Sequence, residues 1–363
     1  MTDSTRLPTF RRRTALKAGA AGLGSALLGA AGVSNSVRAE PESYRFLWAN
    51  SWLTDGMEGV AGLPFNVAAK PQYQERATEL GRRLGEEGYD VVGLCEVFND
   101  EQETVGTEYV DAAGTGTAIA GPEPDGGEKG AGLLDLVAGV PVTDRATLEY
   151  DAEPGDDLTY VDAHVGKGVN YVELDLGPGK VDLFTTHLVT GSLLPWADGG
   201  DEDIPALRRR QLEELGAFVA ERTSPENVTV VAGDFNIAPD GAAADALEAF
   251  ASTAGLYDAW LEHGSGPGGT NDHAIIDGCA FDPSGAPPAY CPSDDAGERI
   301  DYVFLEEPTA DHELELHVDA LERRVFWREL APPERFYADD AGEVPNYLID
   351  HVGLDLSLTA TSA

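Results

Sequence analysis

Basic residues are scarce in this chain, and lysine is the scarcest of them. Lys and Arg together number 24, only five of them Lys, against 65 Asp and Glu, for a formal net charge of −41 over 363 residues. That balance argues against a general nucleic-acid platform, which needs Lys and Arg to displace phosphate counterions. Excess acid with few Lys and many small residues is the composition of a protein adapted to high salt. At 1 M salt the Debye length is about 3 Å, so self-repulsion is screened and any attraction to polyanions is screened with it. The acids are dispersed along the chain and not gathered in runs, so they do not read as a cation-sequestering tail. Hydrophobic residues make up 42% of the chain, enough that a folded core, and not disorder, is expected.

Long, strongly apolar runs are missing too. The mildest candidate is the Ala/Gly-rich stretch from Ala18 to Val33, which falls short of the ~20 strongly apolar residues of a membrane span. It follows Arg11-Arg12-Arg13-Thr14-Ala15-Leu16-Lys17 and precedes Val37-Arg38-Ala39, a small-residue cleavage site. This order resembles a twin-arginine export signal. The expectation is a signal over residues 1–39, a catalytic domain over 40–363, and a secreted or cell-surface location. Cysteine is rare as well: Cys95, Cys279 and Cys291, with no zinc-type spacing. In an oxidising compartment Cys279 and Cys291 could close a loop as a disulfide. Cys95 lies in an apolar run and reads as a small core residue.

What is present alternates between strand-like and helix-like segments. Tyr44–Ala49, Tyr89–Val97, Asn227–Ala232, Arg299–Leu305 and His351–Leu358 read as strands. Val169–Leu176 and Val181–Thr186 read as a hairpin turned at Gly177-Pro178-Gly179. Tyr73, Ala77, Leu80 and Leu84 are spaced for an amphipathic helix over Gln72–Leu84, and Ala206–Arg222 is a second helix. Residues 99–130 are polar and Gly-rich and read as a long loop. A hairpin amid alternating helices and strands predicts mixed sheets in an α/β fold.

Several of these strands end or begin in a polar cluster: Leu94-Cys95-Glu96, Thr185-Thr186-His187, Gly233-Asp234-Phe235-Asn236, Arg299-Ile300-Asp301-Tyr302 and Ile349-Asp350-His351. Apolar strands that carry acids, amides and histidines to one rim make a preorganised polar site. Asp234 and Asn236, two apart, would share a side if the strand stays extended.

In this order the clusters resemble those of the endonuclease/exonuclease/phosphatase superfamily, over about residues 44–358. Gly166-Lys167-Gly168 leading to Thr186-His187-Leu188, with Gly255-Leu256-Tyr257-Asp258-Ala259-Trp260 and Gly269-Thr270-Asn271, resembles its neutral sphingomyelinase, phospholipase-C-type branch. The resemblance implies a four-layer α/β sandwich, two mixed β-sheets packed face to face and flanked by helices. It also implies a phosphodiester hydrolase using Mg²⁺, with Mn²⁺ as a substitute. Glu96 would be the main metal ligand, with Asn50 and Asp350 as further candidates. His351 would be general base to a metal-held water attacking phosphorus, with Asp301 orienting the ring. Asp234 would position the water or the metal. Asn236, Lys167 and Asn50 would bind the phosphate, and His187 would stabilise its charge or protonate the leaving alkoxide. Here Ile349 stands where the family usually has Ser.

Leu193-Leu194-Pro195-Trp196 is a short apolar stretch suited to touching a lipid interface, or to packing on the body. The resemblance to the sphingomyelinase branch, with Lys167 and His187 as its distinguishing residues, makes a lipid phosphodiester the leading substrate class. A secreted nuclease on the same fold is the runner-up, although the arginines cluster only at Arg208-Arg209-Arg210. A binding protein that kept the fold without the chemistry is the third reading.

Overall fold

The computed structural model describes residues 42–53, 73–98, 100–123, 130–152, 165–190, 204–271, 297–326, 348–349 and 351–363. Cys279, Cys291, Leu193–Trp196 and Asp350 lie outside the described residues, as does the expected signal.

The strands form two six-stranded sheets. The first contains β1 (Glu42–Leu53), β2 (Val91–Val97), β3 (Thr117–Ala120), β4 (Leu134–Val137), β11 (Leu314–Arg324) and β12 (Gly353–Ser362), in the order β11-β12-β1-β2-β4-β3. The second contains β5 (Val142–Glu149), β6 (Gly168–Asp175), β7 (Lys180–His187), β8 (Val228–Asp234), β9 (Leu256–Asp258) and β10 (Asp301–Glu306), in the order β5-β6-β7-β8-β10-β9. Each sheet has a parallel pair, β1 with β2 and β7 with β8, among antiparallel neighbours. The mixed-sheet expectation therefore holds.

Apolar side chains from both sheets meet in one layer that includes Trp48, Cys95, Val172, Leu183, Val230, Val303 and Leu354. The outer face of the first sheet is covered by α1 (Tyr73–Glu86) and α2 (Asp100–Ala113), whose Ala77, Leu80, Leu84, Val105 and Tyr109 join Leu47, Val92 and Leu136. The outer face of the second carries α3 (Ile204–Arg222) and α4 (Ala244–Thr253), with a short α5 (Ala259–His263) following. The result is a four-layer α/β sandwich. Strands at its centre are buried on both faces, which is why β8 reads as a nearly continuous apolar run, while buried β7 carries Asp182, Thr185 and Thr186 among its apolar residues. Among the described residues no helix is long and apolar enough to cross a membrane.

The loop expected over 99–130 is corrected: residues 100–113 are helical and 117–120 form a strand. Val105, Gly106 and Tyr109 of α2 are buried beside a buried Glu101, with Val110 and Ala113 half-buried against the same core, so its apolar stripe is too thin to stand out against the acids. Its helicity comes from packing on α1, where Gly81 and Gly85 let the two backbones approach closely. The hairpin turned where expected. Gly177 sits at φ +83° and its N–H donates to Asp175 Oδ1 at 2.9 Å. Strands β5 and β11 went unread because they lie at sheet edges and are mostly polar.

Candidate active site

Register does most of the assembly. His187 is paired with Asp234 across β7 and β8, and Asp234 with Asp301 across β8 and β10. In the other sheet Asn50 is paired with Cys95, one residue short of Glu96. His351 sits just ahead of β12, whose Leu354 is paired with Trp48. Packing the two sheets then brings these rows to one rim. Asn50, Asp234, Asp301, His187, His351 and Lys167 are all buried.

Asn50 joins the sheets. Its amide Nδ2 donates to Glu96 Oε1 at 3.0 Å and to Asp234 Oδ2 at 3.1 Å, and its Oδ1 accepts the Trp52 N–H at 3.1 Å. The N–H partner assigns the amide's orientation, because a backbone N–H can only donate. Glu96 and Trp52 lie at φ +56° and +52°, and Asn236 at +53°. Among the described residues these are the only non-glycine positive-φ positions, and all three are at the rim. Such backbone is retained where surroundings over-determine it. Ser51 Oγ does part of that by donating to Cys95 O at 2.7 Å. Buried Arg76 does more, donating to Ser51 O, Trp52 O and Leu348 O and so tying the end of β1 to the segment before His351.

The left-handed turn at Asn236 corrects the extended geometry expected for the Asp234–Asn236 pair. β8 ends at Asp234, the Asn236 N–H donates to Asp234 Oδ1 at 2.9 Å, and Asn236 Nδ2 donates to Leu188 O at 3.0 Å. Asn236 is thus placed beside Asp234 by an Asx-type turn and not by strand alternation.

Asp301 and His351 form the tightest polar pair, with Nδ1 2.7 Å from Oδ2. A carboxylate only accepts, so the neutral ring carries its proton on Nδ1 and Nε2 is its basic nitrogen. Asp301 is itself held by Trp48 Nε1, which donates to Oδ1 at 2.9 Å, and its backbone N–H donates to Thr270 Oγ1 at 3.1 Å. Trp48 and Thr270 were not read as site residues. A signal existed for the first: a buried indole N–H needs a partner, and Trp48 lies two residues before Asn50.

His187 and Lys167 form the opposite corner. Lys167 Nζ is 3.1 Å from both ring nitrogens. An ammonium equidistant from both cannot lie in the ring plane without colliding with the carbon between them, so it sits over the ring face. That contact suits a neutral ring and repels a protonated one. Burial, then the Lys167, His351 and Arg208 charges, push the His187 pKa well below the usual histidine range. The ring is thus favoured in its neutral form beneath the Lys167 side chain.

Asp234 shifts the other way: burial and the nearby Asp301 raise its pKa, opposed by His351, the Asn50 amide and the Asn236 N–H. A cation would relieve that crowding. Glu96 Oε1 and Asp234 Oδ2 share one amide donor and lie 4.0 and 3.8 Å from His187 Nε2, so carboxylate oxygens converge on a small space. Oxygen donors of this kind fit a hard divalent cation. Asp234, Asp301 and His351 also have ligand atoms within 4.8 Å of one another. Of the remaining histidines, His312 accepts the Thr309 N–H and His317 is beside Glu315, both away from the rim.

The chain belongs to the Endonuclease/Exonuclease/phosphatase family, whose model matches residues 65–337. Solved structures share its fold. Beta toxin 275-280 from Staphylococcus aureus is 17% identical, with a TM-score of 0.58 over 86% of this chain and 99% of that one. The mannosyl-6-phosphatase Bt3783 of Bacteroides thetaiotaomicron is 14% identical, TM-score 0.54, over 87% and 99%. TDP2 of D. rerio complexed with single strand DNA product is 16% identical, TM-score 0.50, over 87% and 98%. No curated protein sequence matches. Hydrolases of this family are typically divalent-metal dependent. A toxin, a sugar phosphatase and a DNA-bound protein on one fold leave the substrate to the site itself.

Proposed function

We propose that the protein is a Mg²⁺-dependent phosphodiester hydrolase of the sphingomyelinase or phospholipase-C type, acting on a lipid phosphodiester. The observation that carries the chemistry is the 2.7 Å His351–Asp301 pair standing beside the Glu96 and Asp234 carboxylates. Glu96 and Asp350 would hold the metal, with Asn50 setting the Glu96 carboxylate. Bound there, Mg²⁺ would neutralise phosphate charge and polarise the phosphoryl oxygen. His351 Nε2 takes the proton from the attacking water, and Asp301 stabilises the imidazolium that forms. Asp234 orients that water. Asn236 and the Lys167 ammonium meet the phosphoryl oxygens as negative charge builds on them. His187, held neutral, orients Lys167 and faces the leaving oxygen.

The arginines favour lipid over nucleic acid. Arg209 is paired with Asp245, and Arg208, whose charge reaches His187, is fixed against Val189 O and Thr190 O, so the cluster does not form a continuous basic track for a polyanion. Leu193–Trp196 would add a peripheral membrane contact. Export by the twin-arginine route is part of the same reading, and replacing Arg11 and Arg12 with Lys should leave the protein inside the cell.

His351→Ala should lower Mg²⁺-dependent hydrolysis by about 10²–10⁴-fold with the fold intact. The assay is run in molar salt on choline phospholipid vesicles, single-stranded and duplex DNA, an aryl phosphodiester and a sugar phosphate. Full activity in the variant would remove the mechanism. DNA cleavage without lipid cleavage would replace the substrate class with the nuclease reading, and no hydrolysis of any substrate would leave the binding-protein reading.

A further inference from the structure

Oxygen ligands do not account for every donor at this rim. Cys95 stands one residue before Glu96 on β2, and its side chain caps the layer between the sheets. Its Sγ, a ring nitrogen of His187 and a carboxylate oxygen of Asp234 all lie within 4.8 Å of one another, and all three residues are buried. His187 Nε2 is 3.8 Å from Asp234 Oδ2 and 4.0 Å from Glu96 Oε1. Tetrahedral zinc takes nitrogen and oxygen at about 2.0–2.2 Å and sulfur at about 2.3 Å, which puts neighbouring donors roughly 3.3–3.7 Å apart. His187 Nε2 and Asp234 Oδ2 are already near that spacing, and Cys95 Sγ starts within 4.8 Å of a donor atom of each residue. Lys167 lies over the His187 ring face and leaves the in-plane lone pair sterically open, and the negative charge of a Cys95 thiolate and the Asp234 carboxylate offsets its repulsion of a dication. Sulfur has no place in a Mg²⁺ shell, whereas thiolate with imidazole selects zinc and its soft relatives.

We propose that Cys95, His187 and Asp234 form a three-ligand Zn²⁺ site, with its fourth position open to water, that overlaps the Mg²⁺ site and shuts the enzyme off when filled. On binding, the Cys95 S–H bond breaks, the sulfur keeps the electron pair and forms the S–Zn bond, and one proton leaves to solvent. No oxidation is involved. The filled site takes Asp234 and His187 out of the reaction. The inhibitory consequence rests on the function proposed above; the binding does not.

Co²⁺ separates the two. Coordinated to thiolate, it gives a near-ultraviolet charge-transfer band that oxygen-only coordination lacks. The metal-free full chain is titrated with Co²⁺, then with Zn²⁺ to displace it. The band is expected in the parent and in the Cys279→Ser/Cys291→Ser double variant, and absent from Cys95→Ser. Zn²⁺ affinity should fall about tenfold or more in Cys95→Ser. Circular dichroism confirms folding, and Cys95→Ala serves if the Ser variant does not fold. A band that persists in either Cys95 variant, or is missing from the parent, overturns the site. If Zn²⁺ inhibits parent and Cys95→Ser equally, the inference fails while the hydrolase stands. If the band appears but no phosphodiester is cleaved, the hydrolase fails while the site stands.

Discussion

Asp135 shows how far a single carboxylate can move when two sheets close over it. It lies on β4 with no solvent exposure and accepts from Thr185 Oγ1 at 2.8 Å on β7, across the sandwich. Burial raises its pKa from 3.8 to about 7. Among the described residues its Oδ2 has no hydrogen-bond partner within bonding geometry, while the Thr185 and Asn170 side chains oppose the rise. The sign follows from linkage. Between about pH 4 and 7 the folded chain keeps a proton that the unfolded chain has released, so this group's contribution falls as pH rises through that window. Asp135→Asn carries a permanent N–H₂ and should stabilise the protein by about 1–3 kcal/mol at pH 8, with much less gain at pH 5. Urea unfolding at the two pH values reads this, and an equal effect at both would refute it. None of it was legible in the sequence, where Leu133-Leu134-Asp135-Leu136-Val137 passes for an apolar run with one interruption.

At the scale of elements, the α1–α2 pair depends on missing side chains. A Cβ on Gly81 would stand 2.5 Å from Val105 O, and one on Gly85 2.6 Å from Tyr109 O. Gly81→Ala should therefore cost about 1–3 kcal/mol, because backbone on the facing helix must move. Gly216 on α3 is the contrast. Its nearest neighbour to an added Cβ is Phe250 Cδ2 at 3.6 Å, an ordinary contact. Gly216→Ala should gain up to about 1 kcal/mol from helix propensity alone. Thermal melting of the two variants should move in opposite directions, and a shift of the same sign in both would refute the packing account. Helices and central strands with a strong apolar period were readable as such, Tyr73–Glu86 and Val228–Asp234 among them. The α2 helix and the edge strands were not, because their stability comes from what they touch.

For the whole molecule, the excess of acid sets the working conditions. With a net charge of −41, self-repulsion weakens the compact state until salt screens it. Raising NaCl from 0.1 M to 2 M should raise the melting temperature steeply; a flat or falling response would refute salt adaptation. The order of the strand-end motifs, the residue types they carry, the family and the acidity were all determined by the sequence, since each is a local pattern or a sum. The tertiary structure alone decided that Asn50 bridges Glu96 to Asp234, that Trp48 braces Asp301, that Lys167 lies over His187, and that a core cysteine comes within 4.8 Å of His187 and Asp234 at the rim. Those contacts join residues far apart in the chain. Their distances follow from strand register and from how two sheets' side chains fill the space between them, and no stretch of sequence encodes either by itself.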